Sequence, residues 1–73
     1  MPLPTVLARK HLDGLDAVIA RLSRMAERYE KAHGRAVREG DLDDQAHWRE
    51  AWTHVKEERE ALTELRAWLR DLL

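Results

Sequence analysis

From Val6 onward, apolar side chains recur at steps of three and four, and no stretch alternates with period two for long enough to suggest a strand. With Leu15, Leu22 and Tyr29 placed at heptad position a, Val18 and Met25 fall at d, and Leu12, Ile19 and Ala26 at e. Ala8, Ala32 and Ala36 complete this stripe as small residues. In the second half of the chain Trp48, Val55, Leu62 and Leu69 recur every seven residues. Ala51, Leu65 and Leu72 take the d spacing there, and Trp52 and Leu73 the e spacing. Such a pattern predicts two amphipathic helices packed along a seam.

Glycine and proline divide the two. Both prolines lie in the first four residues, and Thr5 after them is an expected helix N-cap. Gly40 suits the left-handed turn past a helix end, and Asp41 or Asp43 can cap the next helix. The fold class expected is all-α, an antiparallel two-helix hairpin. Helix 1 runs over about residues 5–39, the turn over 40–43 and helix 2 over about 44–72, all within one domain of residues 1–73. Gly14 is the weak point, because Asp13 can also cap a helix starting beside it. The phase shared by Leu12 and Leu15 with the later stripe favours one rod, straight or kinked.

Charge sharpens this picture when it is split by helix. The 73-residue chain has a net charge of −1, yet residues 1–40 carry +3 and residues 41–73 carry −4. Arg21, Arg24, Arg28, Lys31, Arg35 and Arg38 form a basic stripe, and Asp43, Glu50, Glu57, Glu64 and Asp71 an acidic one. Folding back at Gly40 brings Arg35 level with Glu50, Arg28 with Glu57 and Arg21 with Glu64, so an interhelical ion ladder is expected to set the register. The competing function for the basic stripe is a phosphate-backbone track, with Arg24, Lys31 and Arg38 as its contacts.

The apolar arc is wider than one partner helix can cover, and the chain has no cysteine to staple it. Two hairpins joined as a homodimeric four-helix bundle are the economical solution, and a helical protein partner serves equally well. Leu12, Ile19, Trp48, Trp52, Trp68 and Leu73 are the expected dimer or partner interface. Trp48 and Trp52 fit either the core opposite small residues or a partner, whereas Trp68 lies off the main stripe. Glu58 is a charge at a d position, expected to pair with Arg59 or Arg24 or to interrupt the seam.

Catalytic chemistry finds little support. There is no cysteine nucleophile, no glycine-rich phosphate loop, and a single mid-helix serine, Ser23. Glu30-x-x-His33 with Glu50, His47 and His54 has the residue types of a carboxylate-bridged metal bundle, but Glu30 falls at b, away from the seam. No cofactor is expected, and Glu30, His33 and Glu50 are the weak metal candidates. No apolar run approaches the ~20 residues of a membrane span, and the first residues lack the pattern of a signal peptide. The expectation is a non-enzymatic cytoplasmic protein: a self-associating interaction module acting as adaptor, inhibitor or chaperone-like hairpin. A nucleic-acid-binding regulator is the alternative, and a metal-binding bundle the second alternative. In outline it is similar to small helical hairpins that work by binding, such as the plasmid RNA-binding repressor of primer, secretion needle co-chaperones and phage-encoded inhibitors. None of their residue motifs is identifiable in the chain.

Overall fold

A computed structural model describes residues 5–73, which form two helices, α1 (Thr5–Glu39) and α2 (Leu42–Asp71). They pack against each other as an antiparallel hairpin measuring 54 × 16 × 12 Å. Among the described residues there is no strand, and no helix is long and apolar enough to cross a membrane. Thr5, expected to cap α1, lies within the helix.

α1 is continuous through Gly14, so residues 5–12 are the first turns of one rod. A glycine there costs about 1 kcal/mol of helix propensity relative to alanine. Leu12, Leu15 and Ile19 on either side of it all reach the seam, and that shared burial outweighs the local penalty.

The turn is only two residues long. Gly40 has φ of +70°, its N–H donates to the Val37 carbonyl at 3.2 Å, and the Asp41 N–H donates to the Ala36 carbonyl at 3.0 Å. This pair of bonds is a Schellman closure of α1. Asp41 then takes extended backbone and accepts from the Asp44 N–H at 3.0 Å, so it caps α2. One residue therefore ends one helix and starts the next. For that reason α2 begins at Leu42, two residues earlier than a cap at Asp43 would allow. Gln45 Nε2 donates to the Ala36 carbonyl at 3.4 Å and ties the two helix ends together.

The core is thin. Leu22, Ala26 and Val55 are its buried centre, with Val18, Met25, Tyr29, Trp52 and Leu62 packed around them. Along α1 the residues facing the partner are Ala8, Leu15, Leu22, Tyr29 and Ala36, alternating with Leu12, Ile19, Ala26 and His33. Along α2 they are Trp48, Val55, Leu62 and Leu69, alternating with Gln45, Trp52, Arg59 and Arg66. The seam thus runs along positions a and e of both helices rather than a and d. The d positions are displaced to one edge: Val18, Met25, Ala32 and Ala51 are half-buried, and Glu58, Leu65 and Leu72 are exposed.

This rotation overturns the expected ion ladder. Arg21, Arg28, Arg35, Glu50, Glu57 and Glu64 are all exposed, and none of the three expected pairs forms. The acidic row lies at position c of α2, which the a/e seam turns to the far side of that helix. Matching heights along the hairpin do not bring together rows that point in different directions. Glu58 makes no ion pair with Arg59 or Arg24 either, and it stands outside the seam instead of interrupting it.

Candidate interaction face

An antiparallel pair places equivalent heptad positions of both helices on the same side, so the hairpin has an e side and a d side. They are finished differently. On the e side, Arg66 Nε donates to Asp16 Oδ1 across the helices. That hydrogen bond, and then the attraction of the Asp16 charge, raise the Arg66 guanidinium above its ordinary pKa. Nearby, Lys56 Nζ sits 4.0 Å from the centre of the Trp52 ring, a cation–π contact that covers the indole face. Half-buried Arg59 lies between them in the sequence, at the e position of the seam.

Among the described residues, no such cover exists on the d side. Near the open end of the hairpin, Lys10, His11, Gly14, Leu15 and Val18 of α1 and Leu65 and Leu69 of α2 line a groove of about 530 Å³. Leu65, Trp68 and Leu72 border it with 42%, 57% and 50% of their surface exposed. A methyl group built on Gly14 would meet nothing within 4 Å, so the groove is open above that residue. Toward the turn, the same side carries Met25 and Ala51 with Arg21, Arg28 and Arg35 along the α1 margin.

The six residues expected at an interface divide between these environments. Leu12, Ile19, Trp48 and Trp52 are half-buried within the hairpin. Trp48 packs tilted on Tyr29 at 5.6 Å and edge-on to His47 at 4.8 Å, and Trp52 lies 6.3 Å from His33. Trp68 and Leu73 remain exposed. Leu65, Leu72 and Gly14 stand outside those six, although the d spacing of the two leucines is a signal of this face in the sequence.

The charged candidates are dispersed. Arg24, Lys31 and Arg38 are exposed and make no ion pair among the described residues. Lys31 and Arg38 share a groove of about 610 Å³ with Glu27, Glu30 and His33. Of the metal candidates, Glu30 and His33 line that groove. Glu50 does not, and lies 3.7 Å from His54 instead. Among the described residues, no three His, Asp or Glu side chains converge as a metal site. His33 Nε2 is buried and has no hydrogen-bond partner. No family model matches the chain, and neither a curated protein nor a solved structure matches it significantly.

Proposed function

We propose that this protein is a non-catalytic interaction module that self-associates and acts by binding another macromolecule. The observation that carries this reading is the apolar groove beside Leu65, Trp68 and Leu72, open among the described residues, on a hairpin whose opposite side carries the Asp16–Arg66 ion pair and the Lys56–Trp52 contact. Contiguous exposed apolar surface bordered by polar groups is characteristic of protein–protein contact sites. A thin two-helix core also gains most from a second layer. Among the described residues the grooves are open to solvent, a form suited to contact with another macromolecule. Sedimentation velocity from nanomolar to hundred-micromolar concentration tests the reading. A concentration-dependent shift from monomer to dimer is expected, and a monomer throughout rules out self-association.

A second reading, a nucleic-acid-binding regulator, is favoured by one observation. Arg21, Arg24, Arg28, Lys31, Arg35 and Arg38 are exposed and lack ion-pair partners among the described residues. They span roughly 25 Å of helix at 1.5 Å per residue, enough to follow a phosphate backbone. Such binding falls steeply with added salt and is lost when Arg24, Lys31 and Arg38 are changed together to Gln. Retention of binding by that triple variant rules out this track.

A further inference from the structure

We infer that the partner covering the d side is a second copy of this chain, aligned with both turns at the same end, so that Trp68 of each copy fills the groove over Gly14 of the other. The inference rests on the self-association proposed above and specifies its geometry.

Two ways of placing a second hairpin face to face on this side satisfy two-fold symmetry. If the axis runs along the helices, both turns lie at one end and α1 of each copy faces α2 of the other. If the axis crosses the helices, the turns lie at opposite ends, α1 faces α1 and α2 faces α2. Charge separates the two. The α1 margin of this side carries Arg21, Arg28 and Arg35 and no acid between them, whereas α2 brings Glu58 to it. With its axis at mid-length, the crossed arrangement sets Arg21 of one copy against Arg21 of the other and places Arg28 and Arg35 over the open-end half of the other α1, which offers no acid on this side. The aligned arrangement instead sets Glu58 of one copy at the height of Arg21 and Arg28 of the second. Among the described residues none of these groups has an ion-pair partner within its own hairpin.

Shape separates the arrangements independently of charge. The groove and the exposed Leu65, Trp68 and Leu72 all lie toward the open end of the hairpin. Only the aligned arrangement brings those apolar ends together. The Asp16–Arg66 pair fixes the heights of the two helices, and it places Gly14 level with Trp68. Trp68 does not line the groove of its own hairpin. In the aligned dimer, however, the α2 helix of the second copy crosses above Gly14 and presents an indole there. Glycine leaves the space for it, since among the described residues nothing beyond its own helix backbone and chain neighbours lies within 4 Å of where a methyl group would stand. A large residue opposite the smallest one is the knob-and-hole complementarity of packed helices. It also gives a packing reason for a glycine in the middle of a long helix.

The test uses the full chain carrying Asp43→Cys, near the turn, with a nitroxide attached for dipolar distance measurement. A label-to-label distance well below the 54 Å length of the hairpin is expected, because both turns lie at one end. Trp68→Ala and Gly14→Leu are each expected to raise the dimer dissociation constant at least ~10-fold while leaving helical circular dichroism intact. Gly14→Leu also improves helix propensity, so loss of the dimer in that variant is not loss of the helix. A dimer with labels near 54 Å apart, or one indifferent to both substitutions, overturns the aligned geometry and leaves self-association standing. A monomer at every concentration overturns both.

Discussion

Asp16 and Arg66, fifty residues apart in sequence, form the one interhelical ion pair among the described residues. It lies on the e side, away from both of the charge stripes evident in the sequence. It joins the first third of α1 to the last third of α2 and so fixes their relative height far from the turn. Exchanging the two charges, with Asp16→Arg and Arg66→Asp together, is expected to restore most of the stability that either change alone removes. Thermal melts of the two single variants and the double variant measure this coupling. The difference shrinks as salt is added, because both groups are solvated.

The turn concentrates two roles in adjacent residues. Gly40→Ala forces a left-handed conformation on a residue with a Cβ and is expected to cost about 1–2 kcal/mol. Asp41→Ala removes the side-chain acceptor for the Asp44 N–H and is expected to cost ~1 kcal/mol. Asp41→Asn keeps an acceptor and restores most of that loss. Urea unfolding followed by circular dichroism checks all three.

Leu22, Ala26 and Val55 form the buried cluster near the middle of the hairpin, with Ala8, Ala36 and Leu69 buried toward its ends. Leu22→Ala empties the buried centre beside Ala26 and Val55 and is expected to destabilise by about 2–3 kcal/mol. Leu42, 76% exposed in the first turn of α2, is the control, and its change to Ala is expected to stay within about 0.5 kcal/mol. Comparable losses at both positions in chemical unfolding would mean that the seam is not where stability resides.

Gly14→Ala is expected to stabilise the single hairpin by up to ~1 kcal/mol, since α1 is already helical there and the added methyl meets nothing within 4 Å. The measurement belongs on a Trp68→Ala background, where the proposed packing of a second copy does not enter. A loss of stability on that background would show that the glycine serves α1 itself.

The all-helical class, the two rods and the reversal at Gly40 were legible from period and punctuation alone. The three-and-four spacing of Leu15, Leu22 and Tyr29 with Trp48, Val55 and Leu62 is a local property of each helix. The need for a positive φ at the turn is likewise local and selects glycine. The heights of the charged rows were also legible, but their directions were not. A wide apolar arc fits a seam along a and d as well as one along a and e. Val18, Met25 and Leu65 compete with Leu12, Ile19 and Trp52 for the same interior.

By itself, then, the sequence determined two long amphipathic helices, a tight reversal between them and an apolar surface larger than two helices can bury. Tertiary packing decided which part of that surface is buried. Small and flat-sided residues along e, Ala26, His33 and Trp52 among them, lie where the rods meet, and the Lys56–Trp52 contact and the Asp16–Arg66 pair flank them on that side. The choice turned the d row outward, separated the basic and acidic stripes and left Trp68 in solvent. The rotation of one helix about its own axis is set by the sum of many weak contacts with the other. No single residue encodes it, so it emerges only when both helices are packed together.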